Sequence, residues 1–199
     1  MKKIGLLSTL LFLQSSSLSA VTLEDIPNHF KVRQHWLSLT STYDIEAKNH
    51  LIGTLYRKFF SLMYTYEFYD AFEVEQAIAR ARFLSWTAHF DIYDTQDHLL
   101  GMAKEKFFSF FGSFDILSPD DRLQATANLN LWGTQFTMID PVTRETMAIM
   151  TRPFLRLKHD WNIKMINRQL IEERQIDPNV LLTVIAFQGD DEDWQNANR

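Results

Sequence analysis

The 199 residues contain no cysteine. That excludes disulfides, thiolate metal ligands, cysteine nucleophiles and a lipoprotein anchor. Also missing are G-x-S-x-G, a glycine loop able to cradle phosphates, and H-E-x-x-H, the local signatures of serine hydrolases, nucleotide binding and zinc proteases. The histidines are His29, His35, His50, His89, His98 and His159, and none has a second within four residues, so no local pair of metal ligands exists. Neither long apolar run, Ile4–Leu13 or Val180–Phe187, approaches the roughly 20 residues that a membrane-crossing helix needs. Positive charge is scarce, with 20 Lys and Arg against 25 Asp and Glu, a formal charge of −5. Such a surface repels phosphate backbones, and nucleic acid is not an expected partner.

What is present begins with an address. Lys2 and Lys3 precede the apolar run Ile4–Leu13 and the small-residue tract Ser15-Ser16-Ser17-Leu18-Ser19-Ala20. That order predicts a secretory signal peptide over 1–20, cut after Ala20 or after Ser19, and an exported protein, periplasmic or secreted. Without Lys2 and Lys3, 18 basic and 25 acidic residues remain, a charge of −7. An exported chain of this size folds without disulfides if its core is large, and 14% aromatic residues, 16 of them Phe, supply one. The predicted domain covers 21–189. Beyond it, 190–199 with Asp190, Asp191, Glu192 and Asp193 reads as a solvated acidic tail, with weak Ca²⁺ binding as the alternative.

The domain is organised around Asp177–Gly189. Asp177 suits an N-cap, Pro178 the first helical position and Gly189 the left-handed end of a helix. Between them Val180, Leu181, Leu182, Val184, Ile185, Ala186 and Phe187 leave no polar face, interrupted only by Thr183. A helix over 178–188 that is apolar all round must be enclosed on all sides. The β-branched content leaves a buried strand as the other reading.

Around it runs a repeat. An aromatic, polar, apolar triplet recurs as Tyr43-Asp44-Ile45, Tyr66-Glu67-Phe68, Phe90-Asp91-Ile92, Phe114-Asp115-Ile116, Phe136-Thr137-Met138 and Trp161-Asn162-Ile163, at intervals of 23, 24, 24, 22 and 25 residues. In a strand the first and third residues point to one face and the polar one to the other. His50-Leu51-Ile52-Gly53 with Lys58-Phe59-Phe60-Ser61 reappears 48 residues on as His98-Leu99-Leu100-Gly101 with Lys106-Phe107-Phe108-Ser109, which points to internal duplication. The equivalence puts His50 and His98 at matching turns.

Asp94-Thr95-Gln96-Asp97, Ser118-Pro119-Asp120-Asp121 and Asp140-Pro141-Val142-Thr143 are loaded with turn formers. Leu123, Ala125, Ala127, Leu129 and Leu131 alternate with polar residues as a half-buried strand, and its small members leave room for something thick inside. A first strand at His29–Leu37, with Phe30 and Val32 sharing a face, five hairpins from Tyr43 to Leu157 and a last strand at Trp161–Ile166 give twelve. Closure would remove exposed edges, and a twelve-stranded barrel has a lumen wider than side chains alone can fill, with the Asp177 helix as its plug. Phe72–Phe83 has helix propensity but fits the repeat as a strand with Ala77, Ala79, Ala81 and Phe83 on one face. Asn167–Gln175 reads as a short helix leading into the plug, and Pro153 requires a bulge or a strand edge.

With these features the chain resembles the LURF-one-related family of the tubby C-terminal-like and phospholipid-scramblase superfamily. The resemblance spans Phe30–Phe187. It is carried by Phe90-Asp91-Ile92-Tyr93-Asp94 with Leu100-Gly101-Met102-Ala103-Lys104, by Phe114-Asp115-Ile116 with Leu123-Gln124-Ala125-Thr126-Ala127, and by the Asp177–Phe187 run. It implies a mainly β fold, a twelve-stranded closed antiparallel barrel wrapped around a central apolar C-terminal helix, which is what the strand count reaches by itself. The glycine of the family's Asp-x-x-Gly turn is replaced after Asp94 by Gln96-Asp97. Nothing resembles the scramblases' cysteine-rich segment or separate membrane span, so scramblase activity is not implied. The clustered basic side chains with which tubby-like domains bind phosphoinositides do not map onto this chain residue by residue.

The chemistry expected is binding. Lys104 and Lys106 share a strand face and Lys58 is the repeat equivalent of Lys106; with Phe59-Phe60 and Phe107-Phe108 nearby, they suit anionic headgroups with a ring entering the interface. Core phenylalanines under an ordinary barrel face are the plainer account. No catalytic residue, metal ligand or cofactor is selected. The expectation is an exported, non-enzymatic barrel that binds lipid headgroups at a membrane surface or a protein partner. The alternatives are a hydrolase with its site at the strand ends and an apolar-ligand carrier.

Overall fold

Twelve strands follow one another along the chain: β1 (His29–Gln34), β2 (Thr42–Ala47), β3 (His50–Arg57), β4 (Thr65–Asp70), β5 (Glu75–Ala81), β6 (His89–Tyr93), β7 (Leu99–Glu105), β8 (Ser113–Leu117), β9 (Leu123–Leu129), β10 (Gln135–Ile139), β11 (Thr146–Thr151) and β12 (Trp161–Met165). Two helices follow the last strand, α1 (Arg168–Glu173) and α2 (Pro178–Phe187). The computed structural model describes residues 21–35, 41–48, 50–58, 64–82, 87–106, 113–153 and 160–187. Each strand pairs antiparallel with its neighbour in sequence, and β1 pairs with β12 to close the barrel. The predicted twelve-stranded closed barrel is what forms.

Large side chains of the even strands point inward against small ones of the odd strands. Tyr66 stands opposite Ala79, Phe68 opposite Ala77, Phe90 opposite Ala103, Ile92 opposite Gly101, Phe114 opposite Ala127 and Ile116 opposite Ala125. All are buried. The alternation leaves an axial channel for α2, whose residues Asn179–Ala186 are all buried. Gly101 is small because α2 passes beside it: a Cβ there would lie 3.1 Å from Val180 Cγ2 and 3.0 Å from the Leu117 carbonyl. Asp177 caps α2, its Oδ1 accepting from the Asn179 N–H at 2.8 Å. The helical reading of this segment, rather than the strand, is the observed one.

The hairpin turns repeat atom for atom. At Asp70, Asp94 and Ser118, 24 residues apart, the backbone N–H donates to the carbonyl four residues on, and the side chain accepts from that residue's N–H. Each turn carries one residue in the left-handed region, Glu73, Asp97 and Asp121, at φ near 60°. So Asp97 occupies the conformation that the expected glycine would have taken. Five even-to-odd hairpins also share a bulge, between Ile45/Glu46, Phe68/Tyr69, Ile92/Tyr93, Ile116/Leu117 and Met138/Ile139. Left-handed backbone costs a residue with a Cβ about 1 kcal/mol or more, and the Glu73 side chain forms no hydrogen bond among the described residues. Glu73→Gly is therefore expected to stabilise the fold by about 1 kcal/mol, read as a higher urea midpoint with unchanged slope.

Several boundaries differ from expectation. Phe72 is 88% exposed in the turn before β5 rather than part of the strand. Leu131 lies beyond β9 in a turn, 65% exposed. The outer side of β9 is covered too: Gln124 is buried and donates its amide to the carbonyls of Arg174 and Gln175 at 2.9 Å. The predicted short helix is α1, with Asn167 as its N-cap, and Pro153 sits just past the end of β11. Leu37, Phe83, Leu157 and residues 1–20 and 188–199 lie outside the described residues.

Candidate functional site

The outward positions follow the same repeat. The residue just past an odd strand pairs with the polar member of the next triplet, nine residues on. His35 meets Asp44 at 2.5 Å, Lys58 meets Glu67, Arg82 meets Asp91 at 2.7 Å and Lys106 meets Asp115 at 2.9 Å. These pairs ring one end of the barrel, where odd strands hand over to even ones. Two of the three lysines singled out by sequence, Lys58 and Lys106, thus have carboxylates beside them. Lys104 is on the same outer face, opposite His89 and Asp115 in register, exposed and without an ion pair among the described residues. Phe59-Phe60 and Phe107-Phe108 lie outside the described residues.

On the same rim, the β9–β10 turn presents Leu131, 65% exposed, and Trp132, 68% exposed. The turn that carries them is well tied. Asn130 Oδ1 accepts from the N–H groups of Thr134 and Gln135 at 2.9 and 3.1 Å, and Arg152 Nε donates to the Gly133 carbonyl at 2.7 Å. Gly133 supplies the positive φ, 65°, that the turn requires. Sequence alternation had assigned Leu131 to a buried face; the Leu-Trp-Gly sequence is a turn tip instead.

Behind the pairs, His89 is 8% exposed, and its Nε2 lies 3.6 Å from Asp91 Oδ1 with neither atom hydrogen-bonded. Burial, helped by the Arg82 charge, pushes the His89 imidazole below its ordinary pKa. That shift favours the neutral ring, while Arg82 keeps the other Asp91 oxygen. Among the described residues, no three histidine or carboxylate side chains converge as a cation site.

A second feature lies toward the other end of the barrel, where β12, β1 and β2 meet. There a cleft of about 360 Å³ is lined by His29, Lys31, Arg33, Glu46, Lys48 and Asn162, with Phe30, Ala47 and Ile163 between them along the strands. Arg33 Nη1 is 3.2 Å from Glu46 Oε2, while Lys31 and Lys48 form no ion pair among the described residues. Lys164 stands opposite His29 in register, also unpaired among the described residues. The sequence held half of this signal: if Phe30 and Val32 share the inner face, His29, Lys31 and Arg33 share the outer one. The other half comes from residues about 130 positions away, which only barrel closure brings near.

No family model matches the chain, and none of the curated proteins matches it. Among solved structures it is similar to the Arabidopsis thaliana protein AT5G01750, known from X-ray work, with a TM-score of 0.57 at 12% identity over 91% of this chain and 99% of that one. At that identity the likeness shows a shared barrel fold.

Proposed function

We propose that the chain is an exported, non-enzymatic barrel module that docks on membrane surfaces carrying anionic lipid headgroups, with the rim of Lys58, Lys104 and Lys106 toward the bilayer. The observation that carries this is the Leu131–Trp132 tip, held outward on the same rim as those lysines. An indole favours the headgroup level and a leucine the acyl boundary. A cation near an anionic surface contributes about 1 kcal/mol. Lys104 carries that weight, because Glu67 and Asp115 offset Lys58 and Lys106.

Membership of the LURF-one-related family is supported by the barrel around a central helix and by the likeness to the Arabidopsis protein. Export rests on Met1–Ala20; cell fractionation with N-terminal sequencing tests it. An apolar carrier would need the lumen open, and α2 occupies it.

Co-sedimentation with phosphatidylcholine vesicles, with and without phosphatidylglycerol, tests the docking. The double change Leu131→Ser, Trp132→Ser is expected to cut the bound fraction severalfold, and Lys104→Glu to weaken only the binding that depends on phosphatidylglycerol. Binding that ignores all three substitutions would remove the membrane reading.

A further inference from the structure

The outer wall of the barrel follows a charge rule, and the β12–β1–β2 cleft breaks it. In four units the polar member of the triplet is a carboxylate, Asp44, Glu67, Asp91 and Asp115, and each contacts the basic side chain nine positions before it. In the last two units the equivalent residues are Thr137 and Asn162, and Asn162 stands directly opposite Lys31 across the β1–β12 seam. On that side Lys31 faces an amide, and its register partner on β2 is Glu46.

The one carboxylate lining the cleft, Glu46, is engaged by Arg33. Lys31 and Lys48 on the lining, with Lys164 beside them, add three uncompensated positive charges, on a chain whose total is −5. Three like charges around one concavity repel, and that repulsion is relieved by an anion between them. The volume, about 360 Å³, is within the range of small-molecule sites. Asn162 and His29 add groups able to hydrogen-bond oxygen.

We propose that this cleft binds the phosphate group of a small phosphorylated molecule. A phosphate monoester or diphosphate concentrates about two negative charges or more in one compact group, which matches three lysines better than a single carboxylate does. Lysine, a compact charge on a flexible stem, suits phosphate without demanding a planar fork. The cleft reaches Ala47 and Lys48 at the β2–β3 turn, whereas the membrane rim is at the opposite strand ends. It stays open to water while the rim is docked, and it does not depend on the docking.

Calorimetric titration of the full chain with pyrophosphate, in the absence of vesicles, tests this. Saturable binding is expected, weakening steeply with added salt, at least tenfold weaker in the Lys31→Glu, Lys48→Glu double variant and unchanged in Lys104→Glu. Circular dichroism confirms that the double variant is folded; if it is not, Lys31→Gln and Lys164→Gln singly replace it, each expected to weaken binding severalfold. Absence of saturable binding, or binding equal in all variants, overturns the proposal. A second arm adds pyrophosphate to protein bound on phosphatidylglycerol vesicles. Release by pyrophosphate assigns the phosphate in the cleft to a lipid headgroup, and continued binding assigns it to a soluble ester.

Discussion

Leu181→Ala is expected to lower the free energy of unfolding by about 3–5 kcal/mol, enough to leave the domain barely folded at 37 °C. Leu181 is fully buried near the middle of α2, which packs against β2, β3, β4, β5 and β7. Burying a Leu, Ile or Val side chain contributes roughly 1.5–3 kcal/mol, and deleting one adds a cavity term that depends on how far the surroundings collapse. Here they collapse little, because the wall is a closed ring of hydrogen-bonded strands whose circumference is fixed. The total stability of a domain this size is about 5–15 kcal/mol, so one truncation removes a large share of it. The measurement is a urea titration followed by tryptophan emission. A change below 1 kcal/mol would mean that α2 is not the support of the wall. The same substitution at Leu123, 41% exposed on the outside, serves as the control and is expected to be nearly silent.

The second large effect concerns the entry to the plug. Asp140 opens the β10–β11 turn with no exposed surface, and its carboxylate accepts from Arg174 Nε at 2.5 Å, Arg174 Nη2 at 3.1 Å and the Thr143 N–H at 2.6 Å. Arg174 ends α1, so this pair fastens the link between the helices to the wall. The Arg174 guanidinium and the Thr143 N–H together hold the Asp140 carboxyl well below the usual carboxylate range. A carboxylate with a depressed folded pKa contributes stability that is fully present above its unfolded pKa, about 4, and is lost as pH falls below it. Asp140→Asn is expected to cost about 3 kcal/mol at pH 7 and progressively less at lower pH.

Asp177 works in the opposite sense: burial raises its pKa, so its ionisation opposes folding and acid relieves it. Comparing Asp140→Asn with the parent chain across pH cancels that contribution. A variant whose deficit stays constant from pH 7 to strongly acid conditions would refute the role given to Asp140.

The wall was legible because its repeat is local. Each triplet from Tyr43-Asp44-Ile45 onward states its own facing, and Asp70, Asp94, Ser118 and Asp140 at their turn starts announce the backbone hydrogen bonds they accept. The plug was legible because nothing between Asn179 and Phe187 could face water except Thr183, which is itself fully buried. Other features depend on distance in space rather than in sequence. Asp140 and Arg174 are 34 residues apart on different elements, and no spacing rule joins them. The partners of Lys58 and Lys106 are encoded by a nine-residue interval that recurs in four units, but that interval carries meaning only once strand register is known. Leu131 was misplaced because alternation continues through the end of a strand, whereas the strand ends at Leu129 and Asn130, its N–H donating to the Gln135 carbonyl, turns the chain back.

The order of elements has a consequence for assembly. Of the twelve strand-to-strand contacts, eleven join consecutive strands, and β1 with β12 is the single distant one. The filling, α2, follows the last strand. A chain emerging from its N-terminus therefore completes every hairpin before the rod that they enclose has been made. A ring sealed at that stage would trap solvent against Tyr43, Phe68 and Phe114. Element order therefore points to a seam that stays ajar until the rod arrives, with sealing and insertion as one late event.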